Sequence, residues 1–205
     1  MRSQRNMRKK KPFFKKWWFW LLIIILIFII VPKVNNTSTN SSSSTKTEQT
    51  KKNNVPKEYE NALIKAKDYS NTMHMSKSAI YNQLTSESGE KFSTKAADYA
   101  IKNLKVNYKK NALVKAKSYS NDQHMSKQGI LDQLTSESGE RFTTEEAQYA
   151  VDNLKANYNK NALAKAKTYY NDQHMSKDSV KEQLTSDYGE KFTEEEAQYA
   201  LNHLE

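Results

Sequence analysis

Asn61-Ala62-Leu63, Lys65-Ala66-Lys67 and Tyr69 open a stretch that is written three times. It continues through His74-Met75-Ser76-Lys77, Gln83-Leu84-Thr85-Ser86, Gly89-Glu90, Phe92, Tyr99-Ala100 and Leu104. The same letters return from Asn111 and again from Asn161, a period of 50 residues with no insertion or deletion. A strict period of that size marks a tandem array of one small folding unit. Units this short lie near the lower limit for folding alone, so contact between neighbours should help to hold them.

Within the stretch the apolar residues fall at helical steps. Tyr59, Ala62, Leu63, Ala66 and Tyr69 make one stripe and predict a first helix over 58–71. Ser76 reads as the N-cap of a second helix, with Met75 and Ile80 as its hydrophobic staple. That helix should stop in the polar run Thr85 to Gly89, at the glycine. Ser93 should cap a third helix, with Phe92 and Ala97 as staple. In the later copies Thr143-x-x-Glu146 and Thr193-x-x-Glu196 are capping boxes. No alternating apolar pattern speaks for strands, and all three prolines precede the array. The connecting run Lys105 to Lys110 holds no helix breaker. Leu104, Tyr108 and Ala112 keep a four-residue step, which predicts near-continuity from one unit's third helix into the next unit's first.

The fold class is therefore all-α. It is a tandem array of three three-helix, helix-turn-helix-like repeats at 58–107, 108–157 and 158–205, behind an N-terminal transmembrane helix and a disordered linker. The segment before Trp17 carries Arg2, Arg5, Arg8, Lys9, Lys10, Lys11, Lys15 and Lys16, and no acidic residue. An unbroken apolar run follows from Trp17 to Val31. Basic residues stay on the cytoplasmic side, so the segment 1–16 should remain inside and the repeats should be exported. Trp17, Trp18 and Trp20 sit at one border of the run, where indole rings favour the headgroup layer. The run is shorter than the ~20 residues of a typical span. Snorkelling by Lys15, Lys16 and Lys33 would make up the difference. Segment 17–34 reads as an uncleaved signal anchor with a single span. The rival is a cleaved signal peptide, but Val31-Pro32-Lys33-Val34-Asn35 offers no small-x-small cleavage site. Segment 35–57, rich in Ser, Thr, Asn and Lys, has almost nothing to bury and reads as a disordered spacer.

The formal charge of +10 belongs mostly to the membrane end, since residues 1–34 hold nine basic residues and no acid. The array itself is slightly acidic, which opposes nucleic-acid binding. Within it the balance shifts along the chain. The first unit has seven basic and six acidic residues, the second has seven of each, and the third has six basic against nine acidic. Glu194, Glu195 and Glu196 cluster at the start of the last helix, with Asp187 nearby. Glu145 and Glu146 are a weaker equivalent in the second unit. A solvated capping turn accounts for them; a docking surface for a basic protein partner is the sharper reading.

Catalytic chemistry is not indicated. There is no cysteine, no glycine elbow beside a serine and no phosphate-binding loop. His74, His124 and His174 each stand alone in a turn, without a second histidine at ligand spacing, so no metal or other cofactor is expected. Tyr69, Tyr99, Tyr119, Tyr149, Tyr169 and Tyr199 recur on or beside the apolar stripes and read as core or half-buried packing. Tyr81, Tyr170 and Tyr188 occur once each and read as exposed.

The combination Ala-Leu-x-Lys-Ala-x-x-Tyr, Met-Ser-Lys, Gln-Leu-Thr-Ser, Gly-Glu-x-Phe and Ala-x-Tyr-Ala-x-x-x-Leu resembles the repeat of the Ltp family. These are host-cell-surface-exposed lipoproteins of Gram-positive bacteria and their temperate phages. The resemblance spans all three units and says nothing of residues 1–57. It implies three-helix units used outside the cell. It also implies superinfection exclusion, in which uptake of incoming phage DNA is blocked and the phage tape measure protein is the partner. Lipoprotein members carry a lipobox cysteine, which this chain lacks; a transmembrane helix would serve the same placement. The competing function is a general cell-envelope interaction or adhesion module with no role in phage defence.

Overall fold

The structure, a computed structural model, describes residues 55–205. The anchor residues Lys15, Lys16, Trp17, Trp18, Trp20 and Lys33 lie outside the described residues, as does the spacer as far as residue 54. Among the described residues no helix is long and apolar enough to cross a membrane.

Nine α-helices form the described part, in three similar groups. The first unit holds α1 (Lys57–Asn71), α2 (Lys77–Thr85) and α3 (Thr94–Asn103). The second holds α4 (Tyr108–Asn121), α5 (Lys127–Thr135) and α6 (Thr144–Asn153). The third holds α7 (Tyr158–Lys167), α8 (Lys177–Thr185) and α9 (Glu194–Asn202). In the third unit alone among these, α7 runs on into a π-helical turn, Thr168–Asp172.

The predicted caps are in place. The side chains of Ser76, Ser126 and Ser176 accept the amides of Ala79, Gly129 and Ser179. Thr143 and Thr193 form complete capping boxes with Glu146 and Glu196. In the first unit the third position of α3 is Ala96, which cannot reach back. Glu58, from the start of α1, takes over by accepting the Ser93 amide at 2.9 Å.

Each unit has its own core. In the first, α1 and α3 meet through Ala62, Ala66, Ala96, Ala97 and Ala100, all fully buried. Alanine lets two helix axes approach at the short end of the usual 8–10 Å range. The short α2 closes the open side with Ile80 and Leu84, also fully buried. Burying side chains of that size contributes about 1.5–3 kcal/mol each. The second and third units repeat this with Ile130, Leu134, Val180 and Leu184.

Two expectations fail. The helices of neighbouring units are not continuous. Leu104 and Leu154 turn into extended backbone, with ψ of 112° and 106°, and α4 and α7 start afresh at the N-caps Asn107 and Asn157. The four-residue step from Leu104 to Tyr108 has another cause: both residues pack against the first unit's core. The second failure concerns Gly89. Helix α2 ends at Thr85 with Ser86 extended, and Gly89 does not have positive φ. The glycine is needed for space, because a Cβ there would lie 2.2 Å from the Gln83 carbonyl oxygen. The left-handed positions of the unit are His74 (φ 52°) and Lys91 (φ 57°), with close counterparts in the other units.

The units are joined by a hydrogen-bonded joint used twice. Asn111 donates from Nδ2 to the Ser70 hydroxyl at 3.1 Å and to the Met75 carbonyl at 3.1 Å. Asn161 does the same to Ser120 at 3.0 Å and Met125 at 2.9 Å. In the other direction the Ser76 hydroxyl donates to the Glu140 carbonyl at 2.6 Å, and Ser126 to that of Glu190 at 2.5 Å. Lys191 adds an ion pair to Asp132 at 2.5 Å. All of these asparagines and serines are buried. Tyr108 and Tyr158 wedge onto the core of the preceding unit, their hydroxyls buried without a hydrogen-bond partner.

Candidate functional site

The glycine turn positions a polar cluster in every unit. The Glu90 amide donates to the Gln83 carbonyl and the Phe92 amide to that of Leu84, which tucks the turn under α2. The left-handed Lys91 reverses the chain between them. Glu90 thereby faces α1, where the Tyr69 hydroxyl donates to its carboxylate and Lys65 pairs with it at 3.0 Å. The later units repeat this with Glu140, Tyr119 and Lys115, and with Glu190, Tyr169 and Lys165. Burial, then the Glu140 and Glu190 charges, push the phenols of Tyr119 and Tyr169 well above the usual tyrosine range. They stay neutral donors at physiological pH. The cluster ties the turn before the third helix of each unit to its first helix, and it explains why Tyr69 and Tyr119 are half-buried and Tyr169 buried rather than exposed.

The Tyr69 hydrogen bond, then that of Lys65, holds the Glu90 carboxyl below its ordinary value of 4.5. The Ser93 backbone amide does the same for Glu58. A carboxyl lowered by folding stabilises the fold fully above its unfolded value and loses that contribution as pH falls through its folded value. The melting temperature of the array should therefore be flat from about pH 7 to 5 and drop below about pH 4.5. Glu90→Gln should melt lower at pH 7 and show a shallower acid drop in circular dichroism. A parent and variant with parallel acid profiles would rule out the Glu90 contribution.

The acidic residues singled out in the sequence divide by their partners. Glu146 and Glu196 spend one carboxylate oxygen on the amides of Thr143 and Thr193, at 3.0 and 2.9 Å. Glu194 pairs with Lys181 at 2.9 Å. Glu145 and Glu195 project into solvent from the first turn of α6 and α9. Their own backbone amides, then the hydroxyls of Thr143 and Thr193, hold both carboxyls below the usual glutamate range. Glu194 and Glu195 line a shallow open depression with Gln198, Tyr199 and Asn202. Asp187 is exposed in the turn before α9, next to Tyr188, which is 96% exposed. Asp187, Glu194 and Glu195 are thus exposed in and before one helix N-terminus of the third unit, Glu194 paired with Lys181, while the half-buried Glu196 serves the cap.

The remaining candidates are structural in these surroundings. His74, His124 and His174 occupy the left-handed position after the first helix of each unit. Among the described residues no group of three or more histidines, aspartates or glutamates could hold a metal ion. Tyr99 lies against Tyr59 at 5.4 Å and Tyr199 stacks on His203, whereas Tyr149, expected to be at least half-buried, is exposed beneath Lys109. Tyr81 and Tyr170 were expected to be exposed and are half-buried instead, each packed on the core of its unit.

The three units each match a family of proteins described as host cell surface-exposed lipoproteins, over residues 57–104, 107–154 and 157–204. The chain belongs to this family. A solved structure similar to it is that of Ltp, a superinfection exclusion protein from the Streptococcus thermophilus temperate phage TP-J34. The two share 50% sequence identity over 49% of this chain and 99% of that one, with a TM-score of 0.45. No curated protein matches the chain. The matched segments begin with the first helix of a unit and end at the leucine that closes its core, Leu104, Leu154 or Leu204. The family repeat is thus the three-helix group, and the joint residues lie inside it.

Proposed function

We propose that this chain is a membrane-anchored, surface-exposed binding protein that acts in superinfection exclusion. It holds its three units outside the membrane on the segment 17–34 and interferes with the uptake of incoming phage DNA by binding a phage protein. The tape measure protein is the partner this reading names. The chain works by binding and carries out no chemistry of its own. The observation that supports the reading most is membership of a host-surface family through three consecutive units, with no other domain among the described residues. The anchor supplies the placement that a lipobox cysteine gives to lipoproteins of the family.

Cells carrying the gene should resist plaque formation by a sensitive phage, which should still adsorb but deliver no DNA. A gene lacking residues 1–34 should lose the protection although the array accumulates. Equal plaque numbers with and without the full gene would reject phage exclusion and leave the adhesion reading.

The acidic end of the third unit is the proposed contact. A basic, extended segment of the partner would be drawn to Asp187, Glu194, Glu195 and Glu196, with Glu145 and Glu146 as a second, weaker patch. Charge complementarity of this kind speeds capture and favours the right partner. Changing Glu194, Glu195 and Glu196 together to glutamine should leave the fold intact, because glutamine serves at the third position of a capping box. Binding to a tape-measure segment should weaken at low salt, and the loss should shrink at high salt, where exposed charges are screened. A folded triple variant that binds as tightly as the parent at low salt would move the contact to the region of Tyr170 and Tyr188.

A further inference from the structure

Every internal joint has a trailing face on one unit and a leading face on the next. The trailing face offers a buried serine (Ser70, Ser120), a methionine carbonyl and a cap serine (Ser76, Ser126). The leading face offers an asparagine (Asn111, Asn161), a glutamate carbonyl and a tyrosine (Tyr108, Tyr158) that wedges onto the preceding core. Among the described residues the leading face of the first unit and the trailing face of the third make no such joint. Much of both is intact. At the start, Asn61 is exposed, and Lys91 holds the place of Lys191. At the end, Ser176 is exposed and turns to Ser179 at 2.9 Å, and Glu182 holds the place of Asp132.

Two residues break the match. The place of Tyr108 and Tyr158 is taken by Glu58, whose carboxylate is engaged with the Ser93 amide. The place of Ser70 and Ser120 is taken by Tyr170. Its ring lies half-buried on the third unit's own core, in the π-helical turn, with Lys177 6.0 Å from its centroid. The small serine hydroxyl is replaced by a bulky ring at the spot where an incoming asparagine would seat. A charged carboxylate stands where a tyrosine would have to be buried.

We propose that Glu58 and Tyr170 are terminators, which deny the two half-joints unused among the described residues to a second copy of this chain and keep copies from joining head to tail. Without them the faces fit, because the chain already makes the same joint twice. In such a pair Lys91 of one copy would meet Glu182 of the other, as Lys191 meets Asp132 within the chain.

The test mixes two single variants. Glu58→Tyr opens only the leading face and Tyr170→Ser only the trailing face, so each alone should remain a monomer and the mixture should form a one-to-one pair. Zero-length carbodiimide coupling at high protein concentration captures weak pairing, and peptide mapping reads the site. The internal Lys191–Asp132 link is the control for reactivity. The expected result is a Lys91–Glu182 link between isotopically distinct copies in the mixture, at least tenfold above the parent. Asn61→Ala in the Glu58→Tyr chain should abolish it. Since Glu58 also caps α3, a second version adds Ala96→Glu, which rebuilds the capping arrangement of the second unit. Parent chains that link as readily as the mixture would overturn the proposal. So would folded variants that form the internal link and never the one between copies.

Discussion

Leu134→Ala should destabilise the array by about 2–5 kcal/mol. Leu134 is fully buried at the end of α5, between Ile130 and the alanines of α4 and α6. Removing it leaves a cavity that α5 is poorly placed to fill. That helix has only nine residues, is fixed at its start by the Ser126 cap, and leads directly into the glycine turn. The Phe142 amide also bonds to the Leu134 carbonyl, which ties the backbone in place around the cavity. Because this unit carries a joint on each side, its loss should also lower the stability of the first and third units, as nearest-neighbour coupling requires in a repeat array. Asp132→Ala should cost less, although it too is felt, since Asp132 holds Lys191 of the third unit and accepts from Gln128. Thermal and urea unfolding measure both. Equal small effects would show that Leu134 is not core.

The second large effect lies at a joint. Asn161→Ala removes one amide and strands two acceptors, the buried Ser120 hydroxyl and the partly buried Met125 carbonyl. A buried polar group left without its partner costs about 1–3 kcal/mol. The expected signature is a change in shape as well as in stability: calorimetry should resolve the third unit melting ahead of the other two, where the parent melts as one. Asn61→Ala is the matched control. The same substitution at the same repeat position should leave the melt unchanged, because Asn61 is exposed and makes no joint among the described residues. A variant at Asn161 that melts like the parent would mean that the apolar wedge of Tyr158 alone couples the units.

The contrast between Asn61 and Asn161 shows how far the sequence could be read. Helix stripes and caps are local, and they were legible: Ser76, Thr143 and Thr193 act three residues away from themselves. The joint is not local. Asn111 finds its partner 41 residues earlier, and the same letter at Asn61 has no such role. The polar cluster was missed for a similar reason, since Glu90 meets Tyr69 and Lys65 across 21 and 25 residues. The Leu104–Tyr108 step misled because two residues on one core can imitate helical spacing. Gly89 was recognised as necessary, but the need is room against a carbonyl rather than a left-handed turn. The acidic cluster was legible as a group. Its division into capping, paired and free carboxylates was not, because that depends on Lys181 approaching from another helix.

One property of the joint bears on how such arrays diverge. Several of its acceptors are backbone carbonyls, those of Met75, Glu140, Met125 and Glu190. Every residue type supplies a carbonyl, so the side chains at those positions can drift without uncoupling the units. The side-chain information that must persist at an internal junction is small: an asparagine, two serines and a tyrosine. Surface chemistry can then vary from unit to unit, as the move from a near-neutral first unit to an acidic third already does, while the stacking register is inherited unchanged. Units that keep both half-joints, as the second does, are interchangeable as masonry and distinct as faces, so what the array grips can change without altering how it stands.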